Sequence, residues 1–175
     1  MKAGWITRTL VGVAMGALAL TLIPATAYAQ TRTTQFDVTA TVARNCRISA
    51  TTLAFGTYDP VDVNATVPLD ANSTITVACT RGAVGVWVGL DVGTNPAGAV
   101  RRMSDGGGPA SYLAYEIYRE AGRTNVWGNI VADGVAWGPF PTFAPITQDV
   151  YGRVAAGQDV PPASYTDRIT ATVNF

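Results

Sequence analysis

The chain has 175 residues, of which 48% are hydrophobic, with 12 Lys and Arg against 12 Asp and Glu, two cysteines and no histidine. A near-neutral chain without a basic run has no electrostatic footprint for nucleic acid or for an anionic membrane. Without histidine, Ser-His-Asp and Cys-His nucleophilic arrangements are excluded, and two cysteines alone do not make a zinc site.

The first residues read as a targeting segment. Lys2 and Arg8 bracket a short positive region, residues 10–23 are apolar, and Ala27-Tyr28-Ala29 is a small-x-small cleavage signal. This predicts a secretory signal peptide over residues 1–29, cut after Ala29. The apolar run is shorter than the roughly 20 residues that a membrane-spanning helix needs, which argues against an anchor. Removing Lys2 and Arg8 leaves 10 basic and 12 acidic residues, a net charge of −2, and no lysine. Export places Cys46 and Cys79 in an oxidising compartment, where a pair is most simply a disulfide; two free buried thiols are the alternative.

From there the pattern is that of strands. In "TTQFDVTATV", Phe36, Val38, Ala40 and Val42 alternate with Asp37, Thr39 and Thr41, giving one apolar and one polar face. Most chain starts carry no such pattern, so this segment fills either its own core or another molecule's. "CRISATTLAFG" follows with Ile48, Leu53 and Phe55, and "STITVACT" alternates Ile75, Val77 and Cys79. "VGVWVGLDVG" alternates Val84, Val86, Val88, Leu90 and Val92, with Trp87 on the other face. "SYLAYEIYRE" sets Leu113, Tyr115, Ile117 and Arg119 against Tyr112, Ala114, Glu116 and Tyr118. "TQDVYGRV" and "SYTDRITATVNF" close the chain; in the last, Tyr165, Ile169, Ala171, Val173 and Phe175 share a face opposite Arg168, Thr170, Thr172 and Asn174.

No segment of useful length has a helical period, and about seven short strands with turn signals between them predict an all-β sandwich. "DGGGP" at 105–109 is a turn or loop. The Pro- and Gly-rich stretch 134–145 cannot be a central strand and reads as a long surface loop with at most one short edge strand.

Candidate chemistry is sparse. Bridged cysteines leave no thiolate, and no glycine-rich phosphate loop precedes a helix. Paired carboxylates remain, and Asp59, Asp62, Glu116 and Glu120 are the candidates. Asp59 and Asp62 lie in "YDPVDVN", a turn where Asp serves backbone hydrogen bonding; Glu116 and Glu120 read as solvated strand and turn residues. Trp87, Trp127, Trp137 and Tyr112 are candidates for lining a carbohydrate groove, though a Trp in a β-sandwich more often belongs to the core or covers a sheet edge. Gly128 in "NVWGN" marks a strand end. The reading is of a non-enzyme with no catalytic residues, no cofactor, no metal and no small-molecule substrate.

Five motifs in order, "FDVTATVARNCRIS", "LAFGTYDP", "STITVACTRG", "YLAYEIYREAGRTNVWG" and "VYGRVAAGQDVPPASYTDRITATVNF", together with the cysteine pair and the aromatic Phe175, resemble the spore coat protein U domain family, which includes pilin subunits of archaic, Csu-type chaperone–usher pili. The resemblance implies an immunoglobulin-like β-sandwich that lacks its last strand. It divides the exported chain into a donor-strand segment, residues 30–43, and a sandwich domain, residues 44–175. A periplasmic chaperone would lend a strand during folding, touching the C-terminal strand at Ile169, Ala171, Val173 and Phe175. In the fibre, delivered through an outer-membrane usher, Phe36, Val38, Ala40 and Val42 of an identical or related subunit would take that place by β-strand addition. The implied route is through the periplasm to a cell-surface pilus. The alternatives are a secreted coat or matrix protein of the same family without fibre assembly, and a small carbohydrate-binding module.

Overall fold

The computed structural model of the protein describes residues 29–175, so the expected signal peptide lies, but for Ala29, outside the described residues. The chain divides into two units between Ala40 and Thr41, and every strand belongs to the second. Eight strands form: β1 (Cys46–Ala50), β2 (Leu69–Cys79), β3 (Val86–Leu90), β4 (Arg101–Ser104), β5 (Tyr112–Tyr118), β6 (Val135–Trp137), β7 (Ile146–Val154) and β8 (Ala171–Asn174). A single 3-10 turn, Val63–Ala65, is the one helical element among the described residues. No helix among them is long and apolar enough to cross a membrane.

The strands make two antiparallel sheets, in the orders β1-β2-β7-β5-β4 and β6-β3-β8. Period two decides which side chains meet between them. Ile75, Val77 and Cys79 of β2, Leu113, Tyr115 and Ile117 of β5, and Val150 and Val154 of β7 are buried on one side; Val86, Val88 and Leu90 of β3 answer from the other. Threonines stand on the outer face of the larger sheet, where Thr76 and Thr147 bond across strands at 2.7 Å. Trp127 is fully buried, donates its indole N–H to the Val88 carbonyl at 2.8 Å, and packs against Trp137 with ring centroids 6.2 Å apart.

Several expectations from sequence need correction. Residues 29–45, including the alternating segment, form no strand. The last strand is only four residues long, although Tyr165, Ile169, Ala171 and Val173 do turn inward as the alternation requires. Val84 and Val92 stand exposed just outside β3, whose buried face ends with Val86 and Leu90. Stretch 134–145 carries the short edge strand expected of it, β6, but it is not all surface: Trp137 and Phe140 are buried in the core. Strand β4 was not foreseen, and neither was the burial of its first residue, Arg101.

Glu116 is likewise not a solvated residue. It is half-buried and pairs with the Arg101 guanidinium, which is 2% exposed. The other guanidinium nitrogens donate to the carbonyls of Asp91 (2.7 and 2.9 Å), Trp127 (2.7 Å) and Leu90 (3.2 Å). Burying a charge is tolerable only with such full pairing. The result ties β4 of the larger sheet to the end of β3 in the smaller one.

The disulfide joins Cys46 to Cys79, which face each other in register with Cα atoms 4.1 Å apart. It fastens β1, an edge strand with β2 as its one ladder partner. Closing a loop 33 residues apart in sequence stabilises a fold by about 3–4 kcal/mol in the chain-entropy treatment. The double variant Cys46→Ser/Cys79→Ser is therefore expected to lose about that much in urea unfolding; a loss under about 1 kcal/mol would show that β1 is held by its ladder alone.

Candidate functional site

β8 pairs with β3 on one side only, and β1 pairs with β2 on one side only. The two strands lie alongside one another, each with an open edge, so the sandwich is unsealed along this seam. Backbone groups alternate sides along a strand. Thr170 exchanges bonds with Asp91 on the β3 side, which turns the N–H and C=O of Ile169, Ala171 and Val173 toward the open side. Unpaired backbone groups beside apolar surface are a template for another strand.

The seam is a groove. Two adjoining clefts of about 430 and 790 Å³ share Leu53, Phe55, Met103 and Tyr165 in their walls. The floor of the first is Ile75, Leu90, Tyr115, Ile117 and Val150, all buried core residues. Ile169 and Ala171 form one lip.

Residues 50–55, which continue from β1, form the other lip. The Thr51 N–H donates to the Thr74 carbonyl at 2.9 Å. At the far end the Tyr58 hydroxyl accepts from the Gln158 N–H (2.9 Å) and donates to the Ala155 carbonyl (3.0 Å). Between these anchors, the backbone of residues 52–57 makes no hydrogen bond among the described residues. Side chains hold it instead. Leu53 and Phe55 lean onto β7 at Gly152, where an added Cβ would come within 2.7 Å of Leu53 Cδ2 and 2.8 Å of Phe55 Cζ. Phe55 also meets the Tyr115 ring edge-on, with centroids 5.9 Å apart. A glycine inside a strand signals such close approach, and "VYGRV" carried that signal.

The residues expected to act as donor strand are fully in solvent: Phe36 is 83% exposed, Val38 85% and Val42 83%, and Ala40 is exposed too. Of the four residues expected at the chaperone contact, Ile169, Ala171 and Val173 face inward along the seam, whereas Phe175 is half-exposed beneath the Arg44 guanidinium, 5.9 Å from its ring centre.

Of the candidate carboxylates, Asp59, Glu116 and Glu120 are committed to local structure. Asp59 accepts from the N–H groups of Val61 and Asp62 (3.0 and 3.1 Å) in the turn, where Asp62 itself is exposed. Glu120 accepts from the Thr124 hydroxyl (2.7 Å) and from the N–H groups of Thr124 and Asn125 (2.9 Å each), bonds that bring its pKa down to about 2. It stays ionised and caps a turn. Among the aromatics, Trp127 and Trp137 are core, Trp87 lies under Gly134, and Tyr112 carries the Arg102 guanidinium 4.0 Å above its ring. Among the described residues no cluster of Asp, Glu or Cys is placed to hold a metal ion.

The sequence pattern of the Spore Coat Protein U domain matches residues 32–172. The chain belongs to that family. Protein U of Myxococcus xanthus, another similar protein, is 35% identical over 162 residues, covering 85% of this chain and 88% of its own length. Among solved structures, a chain of the CsuC–CsuE chaperone–tip adhesion subunit pre-assembly complex, from archaic chaperone–usher Csu pili of Acinetobacter baumannii, superimposes with a TM-score of 0.52 at 22% identity. The match covers 77% of this chain and 41% of that one, so this chain spans about two fifths of its structural relative. The likeness shows the fold, an immunoglobulin-like β-sandwich.

In this spore coat U domain, Gly152 sets how deeply the lip of residues 52–57 can sit. Gly152→Val would force Leu53 and Phe55 outward, and overpacking of this kind costs about 1–3 kcal/mol. The variant is expected to lower the urea midpoint accordingly and to raise the binding of a hydrophobic dye, because the groove floor opens. Unchanged stability and dye binding would show that the lip does not rest on this glycine.

Proposed function

We propose that the chain is an exported structural subunit of a chaperone–usher type pilus, polymerising by donor-strand complementation. The observation that carries this reading is a pairing of opposites within one chain. Residues 36–42 present an alternating apolar face wholly to water, while the sandwich presents an apolar groove flanked by an unpaired strand edge. Each is unfavourable alone, and each is what the other lacks. Residues 30–43 act as donor and residues 44–175 as acceptor, the donor of one copy entering the groove of the next.

The energetics suit a fibre joint. Each large apolar side chain moved from water to the groove contributes roughly 1.5–3 kcal/mol, and a ladder of backbone bonds along Ile169, Ala171 and Val173 adds to Phe36, Val38 and Val42. A free subunit with an open groove is an aggregation hazard, which a periplasmic chaperone touching the Ile169–Phe175 strand would cover until an outer-membrane usher exchanges it. Signal-directed export into the periplasm and display at the cell surface complete the route. The family's description favours a second reading, a secreted spore-coat or matrix protein without fibre assembly.

Charge placed on either face of the donor segment tests the reading. Val38→Asp is expected to abolish polymers while the chaperone-bound monomer stays folded, because an unpaired charge enters an apolar site. Thr39→Asp, on the opposite face, is expected to polymerise nearly as the parent does. Sizing both variants with and without the chaperone decides it. Equal polymerisation would show that the alternating segment is not the joint, and loss of the folded monomer in Val38→Asp would place that face in its own core.

A further inference from the structure

The lip formed by residues 165–171 crosses from one sheet to the other. Thr166 exchanges backbone bonds with Ser104 of β4 (2.8 and 2.9 Å), in the larger sheet. Four residues later the Asp91 N–H donates to the Thr170 carbonyl at 3.1 Å, and the chain enters β8 beside β3 in the smaller sheet. A short strand with one open edge is the kind of element that frays. Yet the proposed joint needs this edge in place when a strand arrives.

Asp167 sits in the middle of the crossing. Its Oδ1 accepts from the Thr94 N–H (2.9 Å), the Thr94 hydroxyl (2.7 Å) and the Asn95 amide (3.3 Å), and its Oδ2 accepts from the Tyr115 hydroxyl (2.7 Å). The loop after β3 is moulded to it. Gly93 has a φ of +82°, and a Cβ there would come within 2.1 Å of Asp167 Oδ2. Burial disfavours the charged carboxylate, but the bonds from Thr94 and Tyr115 outweigh it and hold the pKa below the usual value. Tyr115 in turn meets Phe55 of the opposite lip, so one core tyrosine spaces both lips of the groove.

Resting on the donor-strand reading, we infer that Asp167 is a positioning residue for assembly: its carboxylate holds the edge of Ile169, Ala171 and Val173 in strand geometry before the incoming segment arrives. Binding to a preformed edge avoids the ordering that a frayed edge would require, and so gains affinity. Asp167 acts through polar bonds to Thr94, Asn95 and the Tyr115 hydroxyl, and it leaves the strand edge free for the incoming segment.

The test uses the full chain and a labelled synthetic peptide of residues 30–43 as the probe. Asp167→Ala is expected to release captured peptide at least tenfold faster than the parent, with faster hydrogen exchange at Ile169, Ala171 and Val173 but unchanged exchange in β2 and β7. Asp167→Asn, which keeps an acceptor for Thr94 but puts an amide donor where the Tyr115 hydroxyl had its carboxylate acceptor, is expected to fall between. Phe140→Leu thins the core at the other end of the sandwich and serves as a control for general destabilisation. If Phe140→Leu at matched stability speeds release as much, or if Asp167→Ala releases peptide like the parent, Asp167 has no positioning role. If the parent chain itself captures no peptide, the donor-strand reading fails and the inference falls with it.

Discussion

An open seam between β1 and β8 governs this molecule. Backbone N–H and C=O groups require partners wherever water is excluded, and apolar floor residues gain by leaving water. Here both demands meet in one place, beside Ile75, Leu90, Ile117 and Val150. A sandwich normally meets them with one more strand. In this chain the seam is left to a groove, and residues 36–42, of matching pattern, form no strand.

The reinforcements of the fold are arranged around that seam. The Cys46–Cys79 bridge fastens β1, the open edge of the larger sheet. Tyr58 anchors the far end of the lip that continues from β1, and Gly152 gives Leu53 and Phe55 room to lie flat between the anchors. On the other side, Thr166, Asp167 and Thr170 fix the approach to β8. Arg101 and Glu116 tie β4 to the end of β3 behind the groove, through carbonyls that a neutral side chain could not gather. Polar clasps thus do at the seam what sheet pairing does elsewhere.

The parts of the fold legible in sequence were those governed by local period. The alternation in β2, in β5 and in residues 165–173 translated directly into buried faces, because a strand covered on one side must alternate. Arg101 was illegible, since "VRRMS" has the charge of a surface turn and its burial depends on three carbonyls and a carboxylate distant in sequence. The prolines and glycines of stretch 134–145 point to a surface loop with a short edge strand, which β6 is, but they do not show that Trp137 and Phe140 anchor it in the core. The alternating pattern at Phe36, Val38, Ala40 and Val42 was plain, but alternation states only that a face is apolar and never whose core it enters. The groove was half-written: Leu53, Phe55 and the glycine of "VYGRV" were visible as residues, and only the fold brought them to one lip.

Photo-cross-linking from the apolar face of residues 36–42 tests the central claim most directly. A photoreactive residue at Val38, in polymers assembled from a mixture of isotopically light and heavy chains, would be mapped by mass spectrometry. The account predicts cross-links between light and heavy chains that fall on groove residues such as Ile75, Leu90, Ile117 and Val150. Cross-links confined within single chains, or falling on the outer sheet face at Thr76 and Thr147, would contradict it.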